Sequence, residues 1–376
     1  MAFTERSGLY QEVEKKRGRP LLVYVTNSRQ GAQAQMAADV VPHVAKQLLC
    51  LPANTEALDL LVVSDGGDPT VSWRLVSMIR EKVKEFAVLL PFSAFSAATL
   101  LALGADQLVM HPFANLGPVD PQLRYVKRGA AGQPDEEIVF GSEDVRHFLE
   151  FIRSDVGISD QEPLGKAFES AMKDVGAIPL GIAKRGTNLA ISMAEKLLTL
   201  HMADKNQAKV IAESLNSAYY HHGYPLGRKE AEEIGLSVVK AEDAGVDGLI
   251  WEIWTDLAAE MASETPFDPV AEIMKSQTHR DALSRVAVAQ IPANLPPQVM
   301  QQAYQSVLTQ IQVILQDSVD YEILFAAIES ARCRSEYRER GLLNAVMTPD
   351  LNLKATRIRT GKCWEYYEDR GPQEAT

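Results

Sequence analysis

The sequence predicts an α/β fold: a parallel β-sheet with flanking helices, a helical middle region and a small C-terminal extension. Three observations carry this. Short apolar runs bounded by turn residues alternate with helical patterns through the first third of the chain, as right-handed crossovers between parallel strands require. No solenoid or propeller repeat is visible. The 376 residues are 46% apolar, 23% charged and 7% aromatic, a globular composition with enough chain for one large core and a smaller one.

RPLLVYVTNS (19–28) reads as the first strand and MAADVVPHVAKQLLCL (36–51) as a helix. LDLLVVSDGG (58–67) is a second strand ending in a turn. In VSWRLVSMIREKV (71–83) Val71, Leu75, Met78 and Ile79 share one helical face. The stretch LLPFSAFSAATLLALGADQLVM (89–110) then raises the question of a membrane. No charge occurs from Phe86 to Ala105, and a span needs about 20 such residues. Pro91 interrupts the run, however, and Ser93, Ser96 and Thr99 fall inside it. The better parse is a buried strand, FAVLLP (86–91), and a small-residue helix, SAATLLALGA (96–105), followed by a strand, QLVMHP (107–112). No membrane span is expected.

From Ser142 the pattern turns helical, with helices expected over 142–157, 162–175, 188–202, 205–220 and 229–236. RGAAGQPDEEI (128–138) reads as a mobile loop. A boundary near Leu249–Glu264 suggests a polar N-terminal segment (1–18), a main domain (19–250) and a C-terminal helical extension (251–376). Within the extension, DYEILFAAIESARCRSEYRER (320–340) reads as a long helix. Its Arg332, Arg334, Arg338 and Arg340 beside Glu336 and Glu339 read as a solvated helix face. LNLKATRIRTGKCWEYYED (351–369) alternates like a terminal hairpin.

A formal charge of -12 excludes non-specific nucleic-acid binding, which needs a basic footprint. Cys50, Cys333 and Cys363 are far apart and odd in number, so a reducing cytoplasm is the default. The polar N-terminus has no apolar h-region and is not read as a secretory signal. No cofactor is expected, since G-x-G-x-x-G is absent. No metal is expected either, because the adjacent side chains of His221 and His222 diverge.

Open α/β sheets place their sites at the carboxyl ends of strands. Two such ends stand out, Ser64-Asp65-Gly66-Gly67-Asp68 and Ser93-Ala94-Phe95-Ser96-Ala97. Paired glycines turn tightly and bring N–H groups close to a ligand. A serine at the first turn of a helix sits beside unpaired N–H groups. Together they are the parts of an acyl-transfer site, with Ser96 as nucleophile and the N–H groups of Gly67 and Ala97 as oxyanion hole.

SDGGDPTVSWRLVSMIR (64–80), SAFSAATLLALGADQLVMHPFANLGPVDPQL (93–123), IPLGIAKRG (178–186) and YYHHGYPLGRKEAEEIGL (219–236) together resemble the serine dehydrogenase proteinase family. That family is related to signal peptide peptidase A and, more distantly, to the Clp protease and crotonase folds. The resemblance implies a Clp/crotonase-like serine hydrolase domain over 19–250, a nucleophile at Ser96 and an oxyanion turn at Gly66 and Gly67. It implies no nicotinamide site. Three departures matter: Asp65 stands where proline is usual, Ala98 where glycine is frequent, and Gly223 rather than aspartate follows His222.

A serine hydroxyl needs a neighbouring base. The histidine of the Clp protease relatives would fall near Asp120, where LGPVDPQL has none. A lysine, as in signal peptide peptidase A, would come from Lys127, Lys166 or Lys184 and would have to be desolvated. His222 is the alternative. His111 reads as structural, and Arg185 could clamp a carboxylate or pair with Asp120 but cannot be a base. The leading expectation is a cytoplasmic serine hydrolase, a peptidase acting on a peptide or protein and assembling as a homo-oligomer. The rivals are a catalytically silent, peptide-binding scaffold and a crotonase-like acyl-thioester enzyme.

Overall fold

The computed structural model describes residues 3–127, 136–219, 221–287, 294–314, 317–347 and 352–368. The chain forms two compact units, one of residues 10–22 and 35–251 and one of residues 1–9, 23–34 and 252–376.

The larger unit is the α/β fold the sequence predicts. Strands Ala57–Val63, Glu85–Leu90, Gln107–Met110 and Val238–Lys240 pair in parallel in that spatial order. The first three are buried beyond their first residues, Leu58, Leu61, Phe86, Leu89 and Val109 fully so, which is why they read as continuous apolar runs rather than alternating ones; the edge strand Val238–Lys240 is not buried. Helices Val41–Leu49, Pro69–Lys82 and Ala97–Leu103 make the crossovers. The second is capped by Asp68, whose Oδ1 accepts from the Thr70 N–H at 2.8 Å, with Pro69 in the first turn where a missing N–H costs nothing. The uncharged run thus divides at Pro91 into strand and helix. Among the described residues no helix is long and apolar enough to cross a membrane.

A three-stranded sheet of two-residue strands brings distant segments together. Ser93–Ala94 pairs in parallel with Asn115–Leu116, which pairs antiparallel with Leu226–Gly227. Thr99 Oγ1 lies 2.8 and 2.9 Å from the carbonyls of Ala94 and Gly117, tying the helix Ala97–Leu103 to that sheet. The helical middle region is present as Ser142–Ser154, Gln161–Val175, Ala177–Leu198 and Lys205–Ser217. The third starts eleven residues before its expected start at Asn188: Pro179 sits in its first turn, and Gly181 and Gly186 lie within it. Of the loop expected at 128–138, residues 128–135 lie outside the described residues. Residues 136–138 belong to strand Glu136–Phe140, paired antiparallel with Leu123–Lys127.

In the smaller unit one expectation is overturned. Residues 320–340 are not a helix but most of two antiparallel strands, Val319–Glu329 and Cys333–Met347. The first also pairs with Val23–Thr26, and the second with Leu353–Glu368. Ile323 to Ile328 are buried on both faces, so the period of two is hidden. The arginines and glutamates are cross-strand partners rather than a helix face. Arg338 meets Glu322 at 3.2 Å on the neighbouring strand, and Arg340 pairs with Glu365, contacts that support a ladder. The alternating ending at 353–368 is one long strand of the Cys333–Met347 hairpin.

Candidate active site

Strand Ala57–Val63 ends in Ser64, which bridges to Ala94: the Ser64 N–H donates to the Ser93 carbonyl at 3.0 Å, and the Phe95 N–H to the Ser64 carbonyl at 2.9 Å. The two strand ends flagged in the sequence are therefore side by side. Gly66 has φ 100°, and a Cβ there would lie 2.6 Å from the Phe95 carbonyl oxygen and 2.8 Å from the Ser96 Cβ. A Cβ on Gly67 would lie 2.3 Å from the Met36 carbonyl oxygen. Only glycine fits at either position. Met36 holds the turn from outside, its N–H donating to Gly66 at 2.7 Å and its carbonyl accepting from Asp68 at 2.8 Å.

Ser96 opens the helix Ala97–Leu103 with φ 53° and ψ -116°, and its side chain makes no cap hydrogen bond. A non-glycine residue in this region costs of order 1–3 kcal/mol and persists only where the surroundings impose it. The imposition is visible: Ser72 Oγ donates to the Ala97 carbonyl at 2.6 Å, and the Thr99 contacts hold the next turn. Among the described residues neither the Gly67 nor the Ala97 N–H donates a hydrogen bond.

His222 Nδ1 lies 2.8 Å from Asp120 Oδ1. That bond raises the histidine pKa above its ordinary value, against the desolvation that would lower it. Both residues follow from the small sheet, Asp120 four residues after Leu116 and His222 four before Leu226. Ser96 stands two residues after Ala94 on the third strand. A cavity of about 410 Å³ is lined by Ser96, Gly67, Asp65, Pro121, Ala190 and His222. Asp120 and His222 share a second cavity of about 60 Å³. His222 thus lines one cavity with Ser96 and the other with Asp120. A hydroxyl and an imidazole on one cavity, with a carboxylate bonded to the imidazole, are the groups that acyl transfer uses.

Other candidates lie elsewhere. Lys184 is on an exposed face of Ala177–Leu198 and lines neither cavity. Lys166 is exposed and pairs with Glu162 at 2.7 Å. Lys127 ends the strand Leu123–Lys127, and Arg185 is exposed. His111 is buried and stacked on Trp251 at 4.8 Å between ring centroids, with burial lowering its pKa. Among the described residues no group of side chains could hold a metal ion. Sequence reasoning named both His222 and Asp120 without pairing them. It missed Met36, whose role is wholly backbone and leaves no residue-type signal.

Residues 40–131 match the family of ClpP-like SDH-type serine proteinases, bearing out the resemblance read from the sequence over that stretch. Two curated relatives come from Methanocaldococcus jannaschii. The uncharacterized protein MJ0137 is 29% identical over 182 residues, covering 48% of this chain and 53% of its own length. The uncharacterized protein MJ1495 is 27% identical over 185 residues, covering 48% and 51%. The chain spans about half the length of the curated relatives it matches. Among solved structures, a serine-to-alanine mutant of the 1510-N membrane-bound stomatin-specific protease is 18% identical with a TM-score of 0.36, covering 59% of this chain and 81% of that one. ClpP1 from Listeria monocytogenes is 12% identical with a TM-score of 0.29, covering 62% and 96%.

Proposed function

We propose that the protein is a serine peptidase in which Ser96 is the nucleophile, His222 the general base and Asp120 the group that holds the base. The observation that carries this is one cavity lined by both Ser96 and His222, with the Asp120 bond at 2.8 Å behind the imidazole. With Nδ1–H donating to Asp120, Nε2 is the free nitrogen and the proton acceptor. Ser96 Oγ attacks the scissile carbonyl carbon as its proton passes to Nε2. The resulting oxyanion accepts from the N–H groups of Gly67 and Ala97. His222 then gives that proton to the leaving amine as the C–N bond breaks, leaving an ester on Ser96. Water, deprotonated by the same imidazole, hydrolyses the ester and restores the hydroxyl. The substrate in this reading is a peptide or protein, the protein self-assembles, and three free cysteines suit a reducing cytoplasm.

The test is a fluorophosphonate probe followed by mapping of the adduct by mass spectrometry. Covalent labelling confined to Ser96, and lost in His222→Ala, is the expected result. A folded protein whose cavity admits the probe yet stays unlabelled would instead be a silent, peptide-holding scaffold.

A further inference from the structure

The charges that line the cavity do not balance. Arg124 pairs with Glu137 at 3.3 Å and His222 with Asp120 at 2.8 Å. Asp65 lines the same cavity and makes no hydrogen bond or ion pair among the described residues. In a chain of net charge -12 an exposed aspartate needs no explanation, but the place of this one does. It stands between the last residues of a buried strand and the Gly66–Gly67 turn, whose backbone is held by Met36 and by Ser64 Oγ, which accepts from the Gly66 N–H at 3.1 Å. Its backbone is therefore held beside the oxyanion turn, and its side chain lines the cavity.

Asp65 has no local structural duty either. The helix that follows is capped by Asp68, not by Asp65. The residue is exposed at the cavity, yet desolvation pushes its carboxyl pKa up and no nearby cation draws it down. An arriving cation would remove that penalty, and a carboxylate is the acceptor that ammonium and guanidinium groups match. We propose that Asp65 is the specificity-determining residue of the site and selects substrates that place a cation beside the scissile carbonyl, either a lysine or arginine side chain or a free α-amino group. This rests on the reading of Ser96 as a peptidase nucleophile and adds the substrate class to it.

The experiment uses the full chain and two series of short peptides. In one, N-acetylated peptides carry lysine or arginine at successive positions, against norleucine and citrulline as neutral isosteres. In the other, the N-terminus is free and the side chains are neutral. Cleavage is read by mass spectrometry as kcat/KM. Binding to Ser96→Ala is read in parallel by fluorescence anisotropy, so the preference is measured even where no turnover occurs. The expected result is a cationic-over-neutral ratio of at least tenfold, falling to about one in Asp65→Asn and reversing toward glutamate-bearing peptides in Asp65→Lys. The series that shows the ratio identifies the cation as side chain or α-amine. A ratio near one in wild-type cleavage and in binding to Ser96→Ala overturns the proposal, as does a ratio that survives Asp65→Asn. Failure of the peptidase reading looks different: no turnover and no fluorophosphonate labelling, with the binding preference intact.

Discussion

His222 Nδ1 and Asp120 Oδ1 stand 2.8 Å apart although 102 residues separate them, and this contact sets how the site should respond to pH. The Asp120 bond raises the histidine pKa above 6.5. The base form is thus lost as pH falls through that raised value, and labelling of Ser96 should show an acidic limb lying above the ordinary histidine range. Asp120→Asn removes the charge, moves the limb down and slows labelling by about 10²-fold or more. His222→Ala abolishes the limb, whereas Lys184→Ala leaves rate and limb unchanged.

The same bond carries a stability sign. A histidine whose folded pKa is raised stabilises the fold fully below its unfolded pKa, and that contribution disappears as pH rises through the folded value. Asp120→Asn should therefore lower Tm more at about pH 5.5 than at about pH 9. Equal shifts at both would mean that the two side chains do not interact in solution.

The backbone of Ser96 offers an independent check. With φ 53° and ψ -116° it occupies a region that suits glycine. Ser96→Gly should be more stable than Ser96→Ala by about 1–2 kcal/mol, because alanine keeps the Cβ and the strain while glycine sheds both. Urea unfolding of the two variants measures the difference directly. A null or inverted difference would place Ser96 in ordinary helical geometry.

Gly66 constrains the same junction from the other side. An alanine Cβ would fall 2.6 Å from the Phe95 carbonyl oxygen and 2.8 Å from the Ser96 Cβ, at φ 100°. Gly66→Ala should destabilise by about 1–3 kcal/mol and slow fluorophosphonate labelling at least tenfold by displacing the serine. Gly227→Ala, where nothing lies within 4 Å of the added methyl, is the control that should do neither.

Much of this site was legible because its constraints are local. Gly66, Gly67 and Ser96 announce themselves by residue type at the ends of apolar strands, and the parallel sheet by apolar runs that alternate with helical patterns. What sequence could not supply is long-range pairing. The small sheet that aligns Ala94, Leu116 and Leu226 has two residues per strand, too few to carry a period, so the partner of His222 stayed open. Residues 320–340 failed for the opposite reason. Their apolar half is buried on both faces and their charged half alternates Arg and Glu, a pattern equally at home on a helix; only the neighbouring strands decide it. The N-terminal segment, polar in composition, hides a helix, Phe3–Arg17, in which Tyr10 and Val13 are fully buried.

Arg6, in the first turns of that helix, yields the last prediction. Its guanidinium has no solvent exposure and meets Glu329 through two hydrogen bonds of 2.9 Å, Asp256 at 2.5 Å and Glu260 at 3.0 Å. Glu329 is itself fully buried. The fork of donors matches the carboxylate geometry, and such a cluster confers little net stability over an apolar core but is costly to break from one side. Arg6→Met keeps the volume but removes the guanidinium that bridges Glu329, Asp256 and Glu260, so it should destabilise by about 3–5 kcal/mol. Arg6→Lys retains the charge but loses the bidentate fork, and should fall between wild type and Arg6→Met in urea unfolding. If Arg6→Met instead unfolds with the wild-type midpoint, the N-terminal helix is not anchored through this cluster.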